Sequence, residues 1–241
     1  MEQVKRKVNT SWRSNLAYAI GLIAADGCLN KDRRHLWFSS KDLQLIETFK
    51  KSLRLSNKIG RYARGGEKEK RYFYLSFGDI YFYKFLNTIG LTSAKSKTIK
   101  HVDVPRLYFS DFLRGLFDGD GSFYTFKDKR WPNSFSFKLS IASASLDFLN
   151  WLKGILTKYY GVKGYIHKGD GVWNLEYVKG DTKKLFSVMY YNRNALRLER
   201  KYCKLRDAIQ QDKHWGIPQL QKQRNAAVAQ WQERSPEIFG A

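Results

Sequence analysis

Apolar and polar positions along the chain follow two periods, and the switches between them mark the elements. From residue 16 to 27, LAYAIGLIAADG is small or apolar throughout and stops at a glycine, which predicts a buried helix with Ser11 or Ser14 as its cap. The pattern then predicts a strand at LWFSS (36–40), a helix at LQLIETFKKSLRL (43–55), strands at KIGRYAR and RYFYLSF, and a helix at IYFYKFLNTIG (80–90). Within RYFYLSF, Tyr72, Tyr74 and Ser76 alternate with Phe73, Leu75 and Phe77, the period-two sign of a strand, here with aromatic residues on both faces.

The same series then recurs. YFSDFLRGLFDGDG (108–121) is again a helix with an internal glycine and an acid-glycine end, with Ser110 as its expected cap. Gly21-Leu22-Ile23 superposes on Gly115-Leu116-Phe117, and Asp26-Gly27 on Asp120-Gly121, at one constant offset. Strand-like SFSFKLSIAS (134–143), helical LDFLNWLKGILTKYY (146–160), strands VKGYIHK and GVWNLEYV, and helical KKLFSVMYY (183–191) follow in the same order. Each half therefore reads αββαββα, and the chain as a duplicated α+β protein with two antiparallel sheets. The expected organisation is a first half over 1–106 ending in a linker near 91–107 with Pro105, a second half over 107–213, and a tail over 214–241 without clear periodicity. Trp215, Trp231 and Phe239 are the tail residues able to pin it to an apolar surface.

Charge adds the partner. Lys and Arg number 44 against 22 Asp and Glu, a net +22 spread along a chain that is 43% hydrophobic and 16% aromatic. A folded protein with so large an excess repels itself unless a polyanion compensates it, which points to nucleic acid. A membrane surface is the competing polyanion, but the sequence has no run of about 18 apolar residues and no signal-type segment, so the expectation is a soluble, intracellular protein without membrane contact. Two cysteines and four histidines exclude a disulfide framework and a zinc site.

The glycines and acids supply the candidate chemistry. Gly21, with Ala17, Ala24 and Ala25 around it, weakens its helix by roughly 1 kcal/mol, a cost that close helix packing would offset. If the two glycine-bearing helices pack together, their ends bring Asp26 and Asp120 side by side with the carbonyls of Ala25 and Gly119. Two adjacent carboxylates call for a cation, and an all-oxygen ligand set with open water positions suits Mg²⁺. Such a site can activate water and clamp a phosphodiester without His or Cys. The segment after Asp118 lacks the twelve-position ligand pattern of a calcium loop.

AIGLIAADG (19–27) and LRGLFDGDG (113–121) resemble the two motifs of the single-chain LAGLIDADG homing endonucleases, and the repeat order matches over residues 11 to about 213. Ala24 stands where the motif has its earlier acid, while the final Asp-Gly is intact in both copies. The resemblance implies that Asp26 and Asp120 bind the catalytic Mg²⁺, with Mn²⁺ able to substitute and Ca²⁺ supporting binding without cleavage. It implies basic residues about the cleavage centre: Lys95 in TSAKSKTIK, Lys201 in NALRLERKYCK with Arg197 or Arg200 as alternatives, and Lys41 after LWFSS. It further implies a monomer with two saddle-shaped sheets along duplex DNA, one per half-site of a long asymmetric target. The expected DNA contacts are Asn30, Lys31, Arg33, Arg34, Arg61, Arg64 and Arg71 in the first half, and Lys127, Lys129, Arg130, Lys138, His167, Lys168 and Asn174 in the second. Period-two alternation implies that about half of these face the duplex. The readings left beside cleavage are an intron RNA maturase and a non-catalytic DNA-binding protein of the same fold.

Overall fold

The computed structural model describes residues 6–127, 129 and 135–212. The tail over 214–241 and Arg130 lie outside the described residues.

The first half runs α1 (Ser14–Asp26), β1 (Gly27–Leu29), β2 (His35–Ser40), α2 (Leu43–Leu53), β3 (Gly60–Tyr62), β4 (Tyr72–Gly78) and α3 (Ile80–Thr88). The second repeats it with α4 (Phe109–Asp120), β5 (Gly121–Lys127), β6 (Phe135–Ser143), α5 (Leu146–Tyr160), β7 (Tyr165–Lys168), β8 (Trp173–Val178) and α6 (Lys179–Met189). A further helix, α7 (Glu199–Gln211), follows and has no counterpart in the first half. Both sheets are antiparallel, with orders β1-β2-β4-β3 and β5-β6-β8-β7. Their registers correspond: Gly27 pairs with Phe38 and Phe38 with Leu75, as Gly121 pairs with Ile141 and Ile141 with Leu175. The duplication read from the sequence is the architecture of the protein.

The alternation sets which face each strand buries. Leu36, Phe38, Leu75 and Phe77 point under the helices in the first sheet, and Phe123, Phe137, Leu139, Ile141, Leu175 and Tyr177 do so in the second. The segment joining the halves is part of this core, since Leu91, Ile99 and Val102 are all buried.

The α1–α4 contact is the seam of the molecule, and the glycines make it. A Cβ built on Gly21 would stand 2.1 Å from the Phe112 carbonyl oxygen, and one on Gly115 would stand 2.0 Å from that of Tyr18. The two backbones are in direct contact, which is the compensation that a glycine inside a helix requires.

The helix caps differ from the sequence expectation. α1 begins at Ser14 with Arg13 as N-cap and no side-chain cap; neither Ser11 nor Ser14 serves. α4 begins at Phe109, so Ser110 lies inside the helix, where its Oγ is 3.1 Å from the Tyr160 hydroxyl. The hydroxyl of Ser14 is likewise turned to a tertiary partner, Tyr191, at 3.4 Å. Side-chain capping is found at Asp79, which accepts from Phe82 N, and at Ser145, which accepts from Phe148 N. Ser145 Oγ also donates to the Ile99 carbonyl at 2.5 Å, tying the start of α5 to the joining segment. Replacing Ser145 by Ala removes both bonds from a buried position, and is expected to cost about 1 to 2 kcal/mol in urea unfolding.

Candidate active site

Asp26 closes α1 and Asp120 closes α4, and in each case the next glycine opens the first strand of the sheet. Neither glycine is left-handed: φ is −73° at Gly27 and −76° at Gly121. What they provide is room, because a Cβ on Gly27 would lie 2.7 Å from Ile23 Cα and one on Gly121 would lie 2.4 Å from the Phe117 carbonyl oxygen. The Asp-Gly pair is thus a device for turning the chain sharply off a helix directly after an acid.

The seam brings the two acids together. A Cβ on Gly119 would meet Ala25 Cβ at 2.4 Å and Asp26 Oδ2 at 3.4 Å, so the first helix's carboxylate sits beside the residue preceding Asp120. Asp26 keeps part of its surface open to solvent, while Asp120 is half-buried. Protein atoms crowd the remaining sides of both. Burial raises the Asp26 pKa, against the opposing charges of Lys201 and Lys95. Burial together with the Asp26 charge raises Asp120 to about 7, although the same two lysines pull it down.

Lys95 and Lys201 are the two cations that reach the pair. Lys95 is buried, and its ammonium donates to the Gly27 carbonyl at 2.5 Å. The residue before it, Ala94, is held left-handed at φ 57°, a strained placement for a side-chain-bearing residue and one that fixes where Lys95 points. Lys201, on α7, donates to the carbonyls of Phe117 at 2.8 Å, Gly119 at 2.9 Å and Gly121 at 2.6 Å. All three of its protons rest on the end of α4, where a cation also opposes the helix dipole. Burial lowers Lys201 to about 8 despite Asp118, Asp120 and Asp26 nearby, with Arg200 pushing the same way as burial. Lys41 is exposed and lies over the Tyr72 ring at 5.1 Å, outside the set of charges that shift the acids. The Arg197 guanidinium pairs with Glu199 and covers the Tyr202 ring, and Arg200 pairs with Asp42 at 2.7 Å.

Asp118, two residues before Asp120, has a different part. It is buried, accepts from the Tyr18 hydroxyl and from Leu198 N, both at 2.8 Å, and burial holds its carboxyl up at about 6. Next to it Arg114 is wholly buried, donating to Asp111 and to the carbonyls of Met189 and Leu196. This network joins α1, α4 and the chain leading to α7, and so seats Lys201.

The basic residues named from the sequence divide by face. Asn30, Lys31, Arg33 and Arg34 belong to the β1–β2 turn, which Asp32 braces by accepting from Arg34 N, His35 N and His35 Nδ1. Lys138, His167 and Asn174 are on the open face of the second sheet. Arg61 pairs in register with Phe73, Lys127 with Phe135 and Lys168 with Trp173, which places all three on the helix-covered side of their sheets. Arg64 lies over the Tyr72 ring, Arg71 pairs with Glu69, and Lys129 is exposed beyond β5. The open face of the first sheet is instead aromatic: Trp37 stacks on Tyr74 at 4.0 Å, with Tyr62 edge-on to both and Tyr72 beside it.

Among the described residues no three His, Cys, Asp or Glu side chains gather as a metal-ligand set. A cation here would therefore rest on two carboxylates and backbone oxygen, the donor set of a hard divalent ion. The Gly119 carbonyl has a lone pair left after Lys201, and the charges of Lys95 and Lys201 together still leave the Asp120 carboxyl raised to about 7. The donors fit Mg²⁺.

Two glycine-notched helices packed in pseudo-symmetry, each delivering an acid to a shared point above a four-stranded sheet, define the class of duplicated LAGLIDADG folds. The family model of the LAGLIDADG-like domain matches residues 14–90 and 110–201, and the chain belongs to that family. No curated protein matches it by sequence. Among solved structures it is similar to the homing endonuclease I-WcaI bound to its DNA recognition sequence, with 16% identity, a TM-score of 0.60, and 82% of this chain and 88% of that chain covered. It is similar to the LAGLIDADG meganuclease I-AabMI bound to uncleaved DNA, with 16% identity, a TM-score of 0.54, and 81% and 89% covered. Full-length DUF199/WhiA from Thermatoga maritima shares the fold at 18% identity and a TM-score of 0.52, with 95% and 71% covered. No helix among the described residues is long and apolar enough to cross a membrane.

Proposed function

We propose that the protein is a site-specific endonuclease that hydrolyses both strands of duplex DNA at one long, asymmetric site. The observation that carries this is the meeting of Asp26 and Asp120, one acid from each repeat, flanked by the buried Lys95 and the half-buried Lys201. A fold that needed only to bind would gain nothing from crowding two carboxylates in so basic a protein. The homing endonucleases whose structures resemble it are held on DNA, which supports a duplex as the ligand.

Asp26 and Asp120, with the Ala25 and Gly119 carbonyls, would hold Mg²⁺, which supplies a polarised phosphate and an activated water. Mn²⁺ should substitute, and Ca²⁺ should support binding without cleavage. Lys95 and Lys201 place positive charge where a pentacoordinate phosphate gathers negative charge. The turn bearing Lys31, Arg33 and Arg34 positions the duplex through its phosphates, and the open faces of the sheets read bases in the major groove. The chain acts as a monomer, since its two halves already supply both acids.

The test is cleavage of a randomised duplex library by the wild-type protein with Mg²⁺ and with Ca²⁺, followed by sequencing of the new ends. One recurrent long site cut only with Mg²⁺ establishes the activity. Binding to such a site without cleavage under any divalent ion refutes it in favour of a non-cutting DNA-binding protein, and preference for structured RNA would favour a maturase.

Metal binding must displace the proton that Asp120 keeps at acidic pH. Its pKa is raised, so the ionised form that a cation needs prevails only above about 7. Apparent Mg²⁺ affinity is expected to fall about fivefold between pH 7 and pH 6, with close to one proton released per ion at pH 6, measured by calorimetry in buffers of different ionisation enthalpy.

A further inference from the structure

The two open faces come from one repeat yet differ in chemistry, and the difference centres on a residue that the charge pattern does not single out. Glu176, on β8, is buried under the open face of the second sheet. Four donors converge on it: the hydroxyls of Tyr124 and Tyr165, Lys138 Nζ at 3.1 Å and His167 Nε2 at 3.3 Å. Burial alone would raise its pKa, but the bonds from Tyr124, Tyr165, Lys138 and His167 prevail and hold the carboxyl at about 2. At the equivalent register position of the first sheet stands Ser76, opposite Trp37, and the strands of that face carry no carboxylate.

Saturated in this way, Glu176 offers nothing to a ligand, and its effect lies in what it holds. Lys138 donates one proton to Glu176 and another to the Tyr165 hydroxyl at 2.6 Å, which leaves one for a ligand. Phe126 and Tyr165 bracket its ammonium at 5.4 and 5.3 Å, which restrains the flexible stem. The side chain of Lys138 is 24% exposed and that of His167 43%, against 8% for Glu176, so the acid lies beneath and the donors face outward. The remaining proton of this fixed, outward ammonium can be shared between two adjacent acceptors on a base edge, with His167, whose Nε2 is turned to Glu176, flanking it. In the major groove that pattern is O6 and N7 of guanine.

We infer that Glu176 is a positioning residue for specificity, fixing Lys138, with His167 beside it, as a guanine-reading subsite confined to the half-site under the second sheet. The inference rests on the proposed reading of the protein as a duplex-binding endonuclease, and deepens it.

The test is selection of bound duplexes from a randomised library in Ca²⁺, with wild type, Glu176→Gln and Lys138→Met compared base pair by base pair. Wild type should enrich guanine at one or two adjacent pairs in one half-site. Both variants should lower that enrichment about tenfold at those same pairs and leave the other half-site as it was. Thermal midpoints taken alongside should stay close to wild type for Lys138→Met, and if Glu176→Gln fails to fold, Lys138→Met alone must remove the guanine preference. Unchanged profiles, changes spread over both half-sites, or effects of the two variants at different pairs would each overturn the subsite while leaving the endonuclease reading intact. Failure of wild type to select any duplex would overturn both.

Discussion

Replacing Asp120 by Asn is expected to reduce cleavage by at least about 10³-fold, and Asp26→Asn by a similar factor, while binding to the same duplex in Ca²⁺ persists. A thousandfold loss corresponds to about 4 kcal/mol of transition-state stabilisation, within what a bound divalent ion contributes when it polarises a phosphate and activates water. The amide keeps the shape of the carboxylate and removes half of the negative charge that the ion would neutralise. Single-turnover cleavage with excess protein checks the rate, and a gel-shift titration checks the binding. A second consequence separates this loss from simple unfolding. The Asp120 carboxyl is raised to about 7, so its ionised form is disfavoured in the folded protein, and above that pH the charge works against folding. Without metal, Asp120→Asn should therefore melt at or above the wild-type temperature at pH 8. Inactivity combined with a lower melting temperature would argue against the assigned role.

Gly115→Ala is expected to destabilise the protein by at least about 3 kcal/mol, and Gly21→Ala comparably, although alanine in a helix interior ordinarily gains about 1 kcal/mol over glycine. The sign reverses because the new methyl group would have to occupy the position of a backbone carbonyl, at 2.0 Å from Tyr18 O in one case and 2.1 Å from Phe112 O in the other. No rotamer relieves a clash with main chain, so the helices must separate, and the acids at their ends separate with them. Urea unfolding should show a midpoint lowered by about 1 M or more, given the dependence usual for a protein of this size. Gly154→Ala on α5, where a Cβ meets nothing within 4 Å, serves as the control and should be neutral or stabilising.

The sequence made legible whatever was written twice. Both glycine-bearing helices, both acids and the order of strands stood out because each copy confirmed the other, and the cost of a helix glycine has few explanations other than close packing. The capping serines were misplaced because a hydroxyl near a helix start is an equally good partner for a distant tyrosine, as Ser14 and Ser110 show. Lys95 and Lys201 came from resemblance; their partners, carbonyls some 70 to 80 residues away in sequence, could not be read from local pattern. Which of the candidate contacts, Arg61, Lys127 and Lys168 among them, fall on the covered side is not legible, because basic character says nothing about parity. The face of a strand is decided by which side the helices cover, and the pairing register carries that information. Glu176 had one signal in advance: in WNLEYV it alternates with Leu175 and Tyr177, an acid facing outward on a strand in a chain of net charge +22.

The contact between α1 and α4 is closest between main-chain atoms, at Gly21 and Gly115, and it lies away from the open faces of both sheets. Each half is then at liberty to rewrite its outer surface without disturbing its twin. One has become a stack of rings and the other a ring of donors about a carboxylate. Two faces that differ so far in chemistry cannot prefer the same surface, so any partner that spans both sheets must itself have two unlike ends.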